Sequence, residues 1–139
     1  MYEPKVITAS RAVTRSDAGT ICLVNAAAGL TLTLPAATGK GDRYTFVIGT
    51  TVTSNDVIIQ VTGDDIMTGL ALSAADGGNT VNGWETAGTS DTITLDGSTT
   101  GGLKGDMIEL IDCAADTWAV QVRSASTGTE ATPFSAAVS

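Results

Sequence analysis

Residues 30–35 read Leu30-Thr31-Leu32-Thr33-Leu34-Pro35. Apolar and polar residues alternate without a break, the mark of an extended strand with one face in a core and one in water. Pro35 ends that strand, because proline has no N–H to give to a ladder. Upstream, Asn25 to Gly29 link it to an earlier run, Thr20 to Val24, in which Ile21 and Leu23 point one way if extended. Downstream, Tyr44, Phe46 and Ile48 fall on one face of the next run. Val57, Ile59 and Val61 then lie opposite Ile58 and Gln60.

The same period recurs to the end of the domain. Gly63 to Asp65 is a turn, and Asn82-Gly83 is a hairpin signal beside a short strand around Val81 to Trp84. A clean short strand lies in "DTITLDG". The last hairpin pairs Ile108 and Leu110 with Trp118, Val120 and Val122 across Ala114 to Asp116. About nine or ten short strands with no helical period predict an all-β chain, an antiparallel β-sandwich or jelly-roll-like barrel. Residues 1–15 read as an N-terminal arm and first strand, 16–123 as a single β domain, and 124–139 as a C-terminal tail. The tail has too little apolar surface to offset the entropy of ordering, so it either stays disordered or docks on a neighbouring subunit. Phe134 is its bulky feature and the expected subunit contact.

Composition agrees. In 139 residues, 42% are apolar but only 4% aromatic, so the core must be built from Val, Ile, Leu and Ala. The 16 glycines supply turns. The net charge is −8, which argues against direct nucleic-acid binding, a role that needs a basic patch. Five of the seven basic residues (Lys5, Arg11, Arg15, Lys40 and Arg43) fall in the first third. That end could meet an acidic surface that the rest would repel. No window approaches the ~20 apolar residues of a membrane span. "MYEPKVITASR" holds no apolar stretch of the signal-peptide kind, and the expectation is a protein made in a cytosol. Cys22 and Cys113 each sit in a strand-like run, where buried reduced thiols are preferred over a disulfide.

Chemistry finds little purchase. The chain has no histidine, so no Ser–His–Asp or Cys–His site can form. Asp64-Asp65 is the densest carboxylate pair, yet neighbours in a strand point to opposite faces. The aromatics that could floor a sugar site are Tyr2, Tyr44, Trp84, Trp118 and two Phe. No enzyme and no cofactor is expected. Asp56, Asp64, Asp65, Asp76, Asp91 and Asp96 are loop oxygens of the kind calcium takes, but none follows the spacing of a calcium loop. "TGKGD" lacks the spacing and the Ser/Thr of a phosphate loop. Trp118, in phase with Val120 and Val122, is a core plug. Trp84 either caps its own barrel end or touches a neighbour.

Lys-Gly-Asp occurs twice, at 40–42 and 104–106, each time ahead of an alternating apolar run whose buried members stand at even offsets from the Asp. Glycine permits positive φ and Asp can bond its own backbone as a strand begins. The repeat reads as one turn used twice rather than as a receptor-binding tripeptide.

Two longer segments carry a resemblance. "SDAGTICLVNAAAGLTLTLPAATGKGDRYTFVIGTTVTSNDVIIQVTGDDIMTG" and the closing "GDMIELIDCAADTWAVQV" together cover most of residues 16–123. They resemble a module of small structural proteins of tailed bacteriophages, capsid decoration (cement) proteins among them. The resemblance implies a homotrimer assembled in the host cytoplasm onto the outer capsid surface. There it would bind the major capsid protein across capsomer junctions and stiffen the shell. Charge asymmetry, rather than any family motif, nominates Lys5, Arg11 and Arg15 as the capsid contact, with Trp84 and Phe134 between subunits. The alternative is a head-fibre or tail-associated adhesin module that binds host glycan near Trp84 and Glu85.

Overall fold

In the computed structural model, which describes residues 3–138, the Leu30–Leu34 alternation is physical. Leu30, Leu32 and Leu34 are buried while Thr31 and Thr33 face outward. Burying each such leucine stabilises the fold by about 1.5–3 kcal/mol. Met1, Tyr2 and Ser139 lie outside the described residues.

Two sheets pack face to face. The first six strands are β1 (Lys5–Ile7), β2 (Arg11–Ala12), β3 (Ile21–Asn25), β4 (Leu30–Thr33), β5 (Arg43–Thr50) and β6 (Val57–Gln60). They alternate between the sheets, odd strands in one and even strands in the other. From β3 on, each pairs in parallel with the strand two places before it. The first half of the chain is thus a two-layered coil of three turns.

The second half is different. β7 (Ile66–Ala74) and β8 (Val81–Glu85) form a hairpin at the far edge of the first sheet, and β9 (Thr92–Leu95) returns to the second beside β6. The hairpin of β10 (Met107–Ala114) and β11 (Thr117–Ala125) fills the gap, antiparallel to β5 on one side and parallel to β7 on the other. β12 (Phe134–Ser135) closes the second sheet against β9. The result is a seven-stranded sheet, β1-β3-β5-β10-β11-β7-β8, over a five-stranded one, β12-β9-β6-β4-β2.

The all-β sandwich stands as expected, but its sheets are mixed rather than antiparallel. Alternation tells which face a residue takes and nothing about the direction of its neighbour. Twelve strands occur among the described residues, the extra ones being short edge pieces in the two end segments. Residues 3–15 carry two short strands where one was expected: β1 and β2 are the outermost turn of the coil, and Ile7 and Val13 are buried in the core. Asn82-Gly83 is no hairpin turn either. It lies inside β8, and the chain reverses at 75–80, where Ala75 N–H donates to Thr80 O at 2.9 Å.

The core joins both inner faces. Tyr44, Phe46, Ile48, Ile108, Leu110 and Trp118 come from the seven-stranded sheet and Leu32, Ile59, Ile93 and Leu95 from the five-stranded one, each at most 1% exposed. Tyr44 and Trp118 meet edge to face, with ring centroids 5.6 Å apart. Trp118 is the plug its phase predicts.

Candidate contact surfaces

The basic end of the chain is held by one buried carboxylate. A single turn of 3-10 helix at Arg15–Asp17 carries Asp17 inward, where the residue is 2% exposed. Arg11 donates to it twice, Nη1 to Oδ2 at 2.9 Å and Nη2 to Oδ1 at 3.0 Å. Lys5 Nζ adds a bond to Oδ1 at 3.2 Å, and the backbone N–H of Thr14 one to Oδ2 at 3.0 Å. The Arg11 bond first, then these partners, hold the Asp17 carboxyl far below its ordinary range against the opposing effect of burial. Arg15 turns the other way and pairs with Asp42, Nε to Oδ2 at 2.5 Å and Nη2 to Oδ1 at 3.1 Å.

Lys5, Arg11 and Arg15 therefore share one corner, each engaged with an acid of its own chain. Their side chains keep 43%, 36% and 64% of their surface in water, so all three can still touch a partner. Beside them an open depression of about 670 Å³ runs between the 3-10 turn and the first Lys-Gly-Asp turn. It is lined by Arg15, Ser16, Gly41, Asp42 and Arg43 among others. Nothing in the residue pattern marked Asp17 as the organiser, because its partners lie 6 and 12 positions away without a motif between them.

The two Lys-Gly-Asp turns occupy opposite ends of the β5–β10 ladder. Gly41 N–H donates to Asp112 O and Gly105 N–H to Ile48 O, both at 2.8 Å. Gly41 and Gly105 have φ of 79° and 99°, where a Cβ is disfavoured. Each turn caps the strand that follows it by bonding to the end of that strand's partner. The side chains then diverge: Asp42 takes Arg15, while buried Asp106 accepts backbone N–H groups of Gly102, Leu103 and Ala125 at 2.8–3.0 Å. Burial pushes the Asp106 carboxyl up despite these three bonds.

Several other acids bond groups of the chain itself. Asp112 accepts from Thr38 N–H and Gly39 N–H. Asp96 accepts from Ser98 N–H, Thr100 N–H and Thr99 Oγ1. Asp65 Oδ2 accepts from Ala37 N–H at 2.7 Å, while Asp64 is exposed, so the pair diverges. Among the described residues no three His, Cys, Asp or Glu side chains gather as a metal site would require.

Two expected subunit contacts face inward. Phe134 is 8% exposed and belongs to the core cluster, because β12 pairs with β9 and carries the ring under the five-stranded sheet. This corrects the reading of the tail as disordered or docked elsewhere. Trp84 is half-buried and packs on the same core. Glu85, next along β8, points to the opposite face, so the two form no aromatic-and-carboxylate groove. Cys22 is buried and Cys113 exposed, both free thiols. Cys113 stands in phase with the outward-facing Met107, Glu109 and Ile111 of β10, which corrects its expected burial.

No family model, curated protein or solved structure matches the chain.

Proposed function

We propose that this chain is a structural subunit of a bacteriophage virion that decorates and stabilises the capsid, binding the major capsid protein across capsomer junctions as a homotrimer. The observation that carries the reading is the rigid basic corner. In a chain of net charge −8, three cations stand together on the coil's outermost turn, fixed by Asp17 and Asp42 yet open to water. An acidic shell surface would be met there and repelled elsewhere. The likeness of residues 16–69 and 105–122 to phage decoration modules points the same way. Three such corners on one trimer multiply a modest contact into stable attachment.

The work is mechanical. Side chains that could have served a ligand, such as Asp106 and Asp112, instead lock turns to strands, which suits a clamp that must not yield.

Co-sedimentation with undecorated phage heads tests the reading. Wild type should pellet with heads, and Arg15→Glu, which reverses an exposed charge, should bind at least several-fold more weakly. Wild type that stays in the supernatant would end the proposal. Deleting the first 15 residues is a poorer test, because it strips β1 and β2 from the sheets and uncovers the core.

A further inference from the structure

We propose that the outer face of the seven-stranded sheet is the surface through which copies of this chain associate. Neighbouring registers carry one row of outward side chains across the sheet: Val6, Leu23, Val47, Met107, Arg123 and Leu72. Five of the six are apolar. Val6 is 58% exposed, Leu72 45% and Met107 40%. Beside this row, Ile21 and Leu70 are 44% and 41% exposed. The five-stranded sheet has no such face. Its outward registers read Thr31, Ile58, Thr94 and Thr33, Gln60, Thr92, of which Thr92 is covered.

Charge and size select a second copy of the same chain as the occupant. The strands' outward charges on this face are Arg43, Arg123, Glu85 and Glu109, two of each sign, so the net charge of −8 resides elsewhere. Two copies can therefore bring these faces together without the repulsion their remaining surfaces would impose. Seven strands about 4.8 Å apart, the central ones eight or nine residues long, give on the order of 700 Å² of flat area. A stable complex takes about 800 Å² from each partner. The face also dips by about 190 Å³ between Leu70, Glu109 and Ile111, where Gly69 brings β7 against the Val120 carbonyl. That hollow admits an apolar side chain of the facing copy.

Association through this face stands apart from the capsid reading; only the number three rests on it.

Light scattering and sedimentation on the purified full chain test the proposal. Wild type should run at two or more times the chain mass, and at three times if the capsid reading also holds. Leu72→Glu and Met107→Glu, with unchanged far-ultraviolet circular dichroism, should fall to one chain mass, while Ile58→Glu on the opposite sheet keeps the wild-type mass. A wild type that is monomeric at about 50 μM overturns the proposal, as do folded face variants that keep the assembled mass. If both variants misfold, peroxide oxidation of wild type decides: Met107 should resist in the assembly, and reaction at the rate of a free methionine refutes the contact. Adding heads separates the readings. Assembly through the face without head binding removes the capsid function alone, whereas a monomer whose head binding is lost in the face variants shows that the face meets the shell instead.

Discussion

Arg11 and Asp17 meet through two parallel hydrogen bonds, Nη1 to Oδ2 at 2.9 Å and Nη2 to Oδ1 at 3.0 Å, and this pair fastens the outermost turn of the coil to the sandwich. The Asp17 carboxyl is depressed in the folded chain, chiefly by Arg11. An unfolded aspartate titrates near 3.9. Its stabilisation is thus whole at neutral pH and is lost as pH falls through about 4 toward the lower folded value. Asp17→Asn should cost about 1–3 kcal/mol at pH 7, toward the low end because both cations are partly in water. In urea titrations from pH 7 to 3, the gap to wild type should shrink; a constant gap contradicts the assignment.

Asp106 carries the opposite sign. Burial raises its folded pKa, so the folded chain holds this proton better than the unfolded chain. Its contribution is full below the unfolded value and declines as pH rises through the folded one. Asp106→Asn removes that slope and turns an amide N–H₂ toward one of three backbone donors. The expected loss is about 1–3 kcal/mol at neutral pH, growing on acidification. A gap that narrows there, as for Asp17→Asn, would show that Asp106 is not the raised group.

Trp118→Ala should cost roughly 3–5 kcal/mol, since the ring is fully buried against Tyr44. Among the described residues Trp118 Nε1–H has no acceptor. Trp118→Phe keeps an aromatic neighbour for Tyr44 and removes that unpaired donor, so less than half the alanine loss is expected. Equal losses in thermal unfolding would refute this division.

Gly41→Ala and Gly105→Ala meet no atom within 4 Å of the added Cβ, so the backbone conformation alone sets their cost. Each should lose about 1–2 kcal/mol. Lys40→Ala and Lys104→Ala, both at exposed positions, should stay within about 0.5 kcal/mol and leave head binding unchanged. Loss of binding in the lysine variants would revive the tripeptide as a recognition motif.

Chelation gives a further check. No acidic cluster of the metal-binding kind forms among the described residues. EDTA should therefore leave the melting temperature unmoved, and a fall of several degrees would mean that a turn such as 96–100 holds an ion.

Most faces were legible in the residues, although Ile21 and Leu23, read as the apolar face of their run, point outward while Cys22 and Val24 are buried; partners were not legible. Tyr44, Phe46, Ile48, Val57, Ile59, Val61, Ile108, Leu110 and Trp118 are buried as their period requires. Period 2 records which side of a sheet a residue takes, so it is silent on whether β3 runs with or against β5. The tail misled because its single aromatic, Phe134, finds burial on a sheet built some forty residues earlier. Asp17 was invisible for a related reason: its ligands converge only after the coil has closed. Asp106 was half legible, since the turn around it was readable and its three backbone donors were not.

The division between a parallel coil and a later hairpin bears on synthesis. A ribosome releases the chain from its N-terminus, and β1 to β6 can stack turn on turn as they emerge, each finding its neighbour one coil turn back. β7 cannot. Its parallel partner β11 starts fifty-one residues later, Ile66 standing opposite Thr117. Pairings that close so long a loop form late and slowly. A nascent chain halted before β10 would hold a stacked coil beside a loose β7–β8 ribbon, its apolar inner edge bare and open to another chain.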